Sequence, residues 1–421
     1  MGTDEPLRGA AVEPAVSRHT TAFVCITVLI DALGIGIIMP VMPNLLEDLM
    51  GTSISQASIW GGYLAFVYAA MQFVFGPVLG NLSDRFGRRP VLLVSLVALA
   101  VDYTFMAVAN TIALLFLGRL LAGIAGATHA TANAYIADVT QPEKRAAAFG
   151  LIGAAFGVGF IIGPVIGGIA GEFGPRVPLM VAAAIAFVNS LYGLFVLPES
   201  LPASRRRAFS WRRANPLGAA VQILQFPSLA WLFIVGLLFN TAFGVYPATW
   251  SYFMQLKFSW SPAEVGFSLS LVGIGFAVSQ GLLIRHILRL FGEVWTVIFS
   301  FACAAIALGG IAFATQTWLI YTIIPFSALG AMATPAMTAL MANRTPDDAQ
   351  GELQGAIASM ASITMIISPL VMTRLFRVFT AEDTAVYFPG APYVFAAILV
   401  ILALLPLWLG VGRSRARAPR H

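Results

Sequence analysis

Apolar runs of about 20 residues, enough to cross about 30 Å of hydrocarbon as a helix, recur along this chain between short polar stretches. They fall near 20–43, 58–79, 90–109, 111–137, 146–170, 177–197, 228–254, 264–284, 294–314, 316–341, 352–373 and 390–411. The pattern predicts an all-α membrane protein of twelve transmembrane helices. The polar stretches predict a segment 1–19, six helices over 20–197, a linker 198–227, six more helices over 228–411 and a basic tail 412–421.

The chain also repeats itself at an offset of about 204 residues. TQPEKRAAAFG (140–150) resembles RTPDDAQGELQG (344–355), and GFIIGPVIGG (159–168) matches MIISPL (365–370), with Pro164 and Pro369 in register. GNLSDRFGRRP (80–90) has a weaker counterpart in GLLIRHILRLFGE (281–293). Two pseudo-symmetric six-helix bundles joined by a linker are an architecture of secondary transporters, whose substrate site lies between the repeats near the midplane.

Composition agrees. Apolar residues make up 59% of the chain and charged residues 10%, against roughly 45–50% and 25% in soluble domains. The net charge of +5 would suit nucleic acid, but topology explains it better. With both ends assigned to the cytoplasm, nineteen Lys and Arg fall on cytoplasmic segments, four on outer ones, and Arg119 inside a helix. The positive-inside rule sets that orientation. Cys25 and Cys303 sit in apolar runs and imply no disulfide framework. The four histidines do not cluster, so no metal site is expected, and the first twenty residues lack the basic start of a cleavable signal.

The candidate chemistry is sparse. Asp31, Asp102 and Arg119 are the ionisable residues deep in the spans. Asp102 lies about 18 Å into its helix from Pro90, and Arg119 about 12 Å into the next from the other side, at 1.5 Å per residue. Those depths coincide, so the two can pair, and a structural ion pair would explain both. It would not explain Asp31, similarly central and without a basic partner of its own. A buried, unpaired carboxyl takes up and releases a proton near neutral pH, as a proton-coupled carrier requires. His129 points about 80° away from Arg119 on a helical wheel, which favours packing over ligation, whereas Asn133 returns toward the Arg119 face. Asn240, Tyr246, Trp250 and Gln280 are polar or aromatic groups in the second half. Each is a candidate cavity residue whose ordinary reading is a helix contact. A mostly apolar cavity with few polar groups suits a bulky amphipathic molecule.

Two motifs carry more information. In GNLSDRFGRRP, Gly80 and Gly87 accompany Asp84, Arg85, Arg88 and Arg89 in a tight reversal. In GFIIGPVIGG, Gly159, Gly163 and Gly167 share one helix face beside Pro164 and Gly168, which favours close packing and a bend. The first resembles the signature loop of the major facilitator superfamily, a latch whose acid and arginines bind facing helix ends in the outward-open state. The second resembles that superfamily's antiporter motif. Together with DALGIGIIMPVMPNLL, GRLLAGIAGAT, AYIADVT, LPES, NPL and GELQGAIAS, these stretches are similar to the tetracycline-efflux group of drug:proton antiporters from about residue 25 to 375.

The resemblance implies that Asp31, Asp102 and Arg119 serve transport. It also implies export of an amphipathic, drug-like substrate in exchange for protons across a bacterial inner membrane, with no cofactor, no enzymatic activity, no nucleic-acid partner and a functional monomer. Phe276 stands where the group carries a histidine, and an apolar residue, aligned as Ala304, where it carries an acid. Tetracycline itself and a proton path through the second half are therefore open. A non-tetracycline metabolite or multidrug exporter of the same fold is the alternative. A nutrient symporter would instead call for polar clusters in both halves.

Overall fold

The computed structural model describes residues 18–126, 128–211, 226 and 229–417. Seventeen α-helices run through them, with no strand among the described residues. Before the linker lie α1 (Arg18–Ile38), α2 (Met42–Met50), α3 (Ile54–Phe86), α4 (Arg88–Val108), α5 (Ile112–Ala125), α6 (Thr128–Val139), α7 (Arg145–Gly171) and α8 (Val177–Val196). After it come α9 (Ala230–Phe243), α10 (Val245–Phe258), α11 (Pro262–Val278), α12 (Ile284–Phe313), α13 (Thr317–Gly330), α14 (Ala333–Ala342), α15 (Gln350–Val378), α16 (Ala391–Leu402) and α17 (Leu404–Arg417). Of the expected segments 1–19, 198–227 and 412–421, residues 1–17, 212–225, 227 and 418–421 lie outside the described residues, and α17 runs into the expected tail as far as Arg417.

Nine helical runs among the described residues are long and apolar enough to span a membrane, or ten if the bent pair α1–α2 counts as one. One of the nine, Pro262–Phe313, covers 52 residues. It is broken at Gly292, whose φ of 72° no helix adopts, and it contains the two apolar segments expected over 264–314. The expected fourth segment is interrupted: α5 stops at Ala125 and α6 resumes at Thr128.

Local chemistry explains the boundaries. Ser53 caps α3, and Ser261 with Glu264 forms a reciprocal capping box on α11. Gly87 separates α3 from α4 at φ 108°. The α1–α2 break bends the chain by 52°. Pro43 has no N–H to give to the Met39 carbonyl four residues back, and that freed oxygen is bonded from another helix, as described below.

The helices before and after the linker form two packed groups that meet along two seams, α3 against α15 and α7 against α11. At one end the seams are tight. A Cβ on Gly62 would strike Thr373, and one on Gly171 would strike Pro262. A Cβ on Gly168 or Gly266 would run into the facing backbone, that of Pro262 and Pro164 respectively. Toward the arginine-rich end the same helices separate. Gly76 and Gly80 of α3, Gly150, Gly153 and Gly157 of α7, and Gly351 of α15 have open space where a Cβ would sit. The molecule is therefore closed at the end holding the α1–α2 bend and splayed at the arginine-rich end.

Within the first group, Gly159, Gly163 and Gly167 lie against the α1 backbone at Leu29, Leu33 and Ile37, so small residues let α7 seat on α1. Gly163→Leu should lower the thermal unfolding midpoint in detergent, by the equivalent of about 1–3 kcal/mol of overpacking. Gly157→Leu, with nothing to strike, should leave it unchanged. Equal losses in both variants would contradict this packing.

Candidate functional site

Arg119 of α5 reaches Asp102 of the preceding α4 and forms an ion pair through Nη2 and Oδ2. Gly118 makes the approach possible, since a Cβ there would lie 2.8 Å from the Asp102 Oδ1. Gly123 brings the same helix against the α3 backbone at Tyr68. The Tyr68 ring faces the Arg119 guanidinium at 5.5 Å, a cation–π contact. Met106 Sδ lies 2.8 Å from Arg119 Nη2. Gln72 steadies this wall by donating to the Gly126 carbonyl at 2.9 Å, with the Tyr68 hydroxyl 3.5 Å away.

Asp102 is fully buried, while the Arg119 side chain keeps 14% exposure. The pair is not saturated. Asp102 Oδ1 and Arg119 Nε are both enclosed and have no protein partner. In a medium that supplies no water, unfilled valences are costly, and these two are the atoms a proton or a ligand group would complete.

Asp31 lies half-buried on α1 and makes no ion pair or hydrogen bond among the described residues. One turn on, Gly34 packs against buried Tyr103, the residue after Asp102, so the carboxyl stands near the Asp102–Arg119 pair. The three ionisable residues singled out in the sequence are thus brought to one region of the first group. Asn133 is half-buried on α6. The side chain of His129 lies outside those described.

The second group presents no counterpart. It holds a chain of aromatic contacts instead: buried Phe239 stacks on Phe243 at 4.6 Å and on buried Phe301 at 5.1 Å, Phe243 meets Tyr246 at 5.4 Å, and Phe276 meets Phe243 at 6.5 Å. Two of the candidate cavity residues make the helix contacts of their ordinary reading. Trp250 is 1% exposed with its indole N–H on Ser268 Oγ at 3.0 Å, and the Tyr246 hydroxyl pairs with Ser327 Oγ at 2.8 Å. Their polar ends found partners on neighbouring helices, which spacing along one helix cannot reveal. Phe276 and Asn240 are half-buried and Gln280 is exposed in the π-helical turn Ser279–Leu283. Ala304 is buried against Gly330.

The loop between α3 and α4 is held from its own side. Arg88 bonds Asp84 at 2.6 Å and Asp138 of α6 at 2.9 Å. Burial would lower the affinity of the Arg88 guanidinium for its proton, but these two carboxylates outweigh it and hold the charged form. Arg89 donates to the Leu194 carbonyl at 2.7 Å, and Arg85 lies over the Phe86 ring. Glu199 accepts from the Arg88 backbone N–H at 2.8 Å, placing a negative charge at the α4 N-terminus where the helix dipole favours it. Among the described residues no bond from these side chains crosses to the second group, as the splayed arginine-rich end implies. Asp138 and Glu199 lie within AYIADVT and LPES, where nothing in their spacing links them to Arg88.

At the opposite end the groups are tied together. Ser251 Oγ donates to the Met39 carbonyl at 2.6 Å, and Gln255 Nε2 donates to the Pro40 carbonyl at 2.9 Å and to Asn44 Oδ1 at 3.0 Å. The carbonyls exposed by the α1–α2 break are thus satisfied by α10 of the other group. Ser55 and Thr380 join α3 to the turn after α15 at 2.7 Å, and Ser270 donates to the Ile161 carbonyl across the second seam.

The family model described as Major Facilitator Superfamily matches this chain twice, over residues 24–256 and 232–421. The chain belongs to the Major Facilitator Superfamily. It is a multi-pass membrane transporter, not an enzyme. Among superfamily members with curated names, it is 39% identical to a class C tetracycline resistance protein of Escherichia coli, over 91% of this chain and 95% of that one. It is 27% identical to multidrug resistance protein 2 of Bacillus subtilis (strain 168), over 93% and 96%. Among solved structures, the fold matches a bacterial homologue of the human lysosomal transporter Spinster, in an inward-facing and unoccupied conformation. The TM-score is 0.75 at 14% identity, covering 96% of this chain and 98% of that one.

Removing one partner of the buried pair strands the other charge, which costs about 3–5 kcal/mol in protein interiors. Asp102→Asn should therefore lower the unfolding midpoint in detergent, and adding Arg119→Gln should recover most of the loss. A double variant no more stable than the single would contradict an energetically coupled pair.

Proposed function

We propose that this transporter exports an amphipathic, drug-like molecule in exchange for protons across a bacterial inner membrane, working as a monomer with both termini in the cytoplasm. The observation that carries the reading is Asp31: a carboxyl inside a membrane span, without a partner among the described residues, near an unsaturated Asp102–Arg119 pair. A proton is the smallest ligand able to relieve that charge in hydrocarbon. The relatives named for resistance to tetracycline and to multiple drugs support export as the direction.

On this reading the arginine-rich end is cytoplasmic, and the splayed conformation is the one that loads substrate from the cell. The helices of 20–197 and 228–411 rock against each other. Asp31 and Asp102 are protonated from outside and release the proton when open to the cytoplasm, as substrate enters. A proton moving down 100 mV yields about 2.3 kcal/mol, enough for a substrate gradient on the order of 50-fold. The first group carries the coupling, because Phe276 and Ala304 offer no ionisable group.

A second reading, a broader multidrug specificity, draws on half-buried Phe243 and Phe276, whose contacts would be apolar and tolerant of shape. A susceptibility panel in a pump-deficient host, setting tetracyclines beside lipophilic cations, separates the two.

Asp31→Asn should fold and keep its unfolding midpoint yet lose substrate exchange driven by a pH gradient in inverted vesicles. Full exchange in that variant would remove Asp31 from the coupling. At fixed gradient, uptake into the vesicles by the parent protein should fall as the pH inside the vesicles, the outer side of the pump, rises and leaves the carboxyls unprotonated.

A further inference from the structure

Four basic residues lie at the closed end, against the positive-inside bias: Arg176, Lys257, Arg374 and Arg377. Two are accounted for by the protein. Arg176 donates to the Ala107 carbonyl at 3.0 Å, and Lys257 donates to the Ala312 carbonyl at 3.0 Å while facing the Phe253 and Phe258 rings. Arg374 and Arg377 are exposed, and their side chains make neither an ion pair nor a hydrogen bond among the described residues.

Both line one cavity of about 270 Å³, together with Gln56, Ile59, Trp60, Tyr63 and Val378. It sits on the seam between α3 and α15, directly beside the Ser55–Thr380 bond and the Gly62–Thr373 contact that close this end. The lining contains two guanidinium groups, an amide, an indole N–H and a phenol, and no carboxylate. That inventory is rich in donors and carries two positive charges, the recognition chemistry of an oxyanion. Trp60 packs edge-on against Tyr63 at 5.8 Å and against Phe116 at 6.1 Å. Trp and Tyr in such positions sit at the headgroup level of a bilayer. Exposed Val378, at 54%, offers an apolar contact beside the charges.

We propose that this cavity binds the phosphate of an anionic glycerophospholipid, and that the lipid favours the conformation closed at this end. A phosphate can come from lipid or from solution. The interfacial aromatics and the apolar rim select the lipid, whose chains stay in the membrane while its headgroup reaches the arginines. The two sides of the cavity belong to different helix groups, so it exists only while α3 and α15 are together. A ligand bound to one conformation alone shifts the equilibrium toward it. The leaflet assigned to the site, the outer one, rests on the topology proposed above; binding itself does not.

The test uses the full-length protein in nanodiscs of neutral lipid, with and without phosphatidylglycerol. Native mass spectrometry counts retained phosphatidylglycerol, and spin labels at Asp48→Cys and Glu382→Cys, in a background lacking Cys25 and Cys303, report the separation of the two groups at this end. Phosphatidylglycerol should bind the parent protein about 30-fold more tightly than R374Q/R377Q, from about 1 kcal/mol per arginine at an anionic surface. It should also sharpen the short label distance only when the arginines are present. Both arginines are exposed and unpartnered, so the variant should keep the parent's unfolding midpoint. Equal lipid retention by the two proteins overturns the site. The same shift produced by inorganic phosphate in neutral lipid overturns the lipid as its ligand. Bound lipid with unchanged label distances overturns the coupling to conformation. None of these readouts requires transport, so they stand or fall apart from the exporter assignment.

Discussion

A helix broken inside or beside a membrane must find donors for the carbonyls it exposes, because hydrocarbon supplies none. In this chain Pro40 and Pro43 break the first span, and the freed oxygens of Met39 and Pro40 are taken by Ser251 and Gln255, one turn apart on α10. The requirement is local, but its solution joins the two helix groups. Glycine-lined approaches at Gly168 and Gly266 then extend the contact along the seam. Toward the opposite end the same helices separate, leaving open space beside Gly80 and Gly150. The bonds at the closed end must be exchanged for water when it opens, which makes them a reversible fastening rather than a core.

Charge is divided unequally between the two groups. The first holds Asp31 and the Asp102–Arg119 pair, with Tyr68 and Tyr103 around them. The second offers a run of interlocked aromatic rings from Phe239 to Phe276. A pseudo-symmetric scaffold has thus been filled asymmetrically: one side holds ionisable groups, the other packed aromatic rings. Glycine placement sustains the first side. Without Gly118 the α4–α5 approach that sets the ion pair would be blocked by a side chain.

Much of this could be read from residue order. Asp31 and Asp102 stood out because a carboxylate in an apolar run is expensive whatever surrounds it, and depth counting alone placed Asp102 level with Arg119. Gly159, Gly163 and Gly167 announced a close helix contact by their spacing, and they seat α7 on α1. The second-half candidates fared differently. Trp250 and Tyr246 carry polar atoms in apolar helices and so resembled cavity residues, but Ser268 and Ser327 on other helices satisfy them. Asp138 and Glu199 stand at helix ends where acids are unremarkable, and only the fold brings them to Arg88.

The sequence by itself determined the helical class, the repeat, the sidedness of the charges and the short list of ionisable groups in the spans. Those properties depend on composition and spacing along one chain, which hydrocarbon reads segment by segment. Tertiary structure alone decided which end is closed, which polar atoms are spent on packing, and where Arg374 and Arg377 come to face Trp60 and Tyr63. Each of those outcomes depends on pairs of residues up to hundreds of positions apart. Their contact energies do not exist until the two bundles meet.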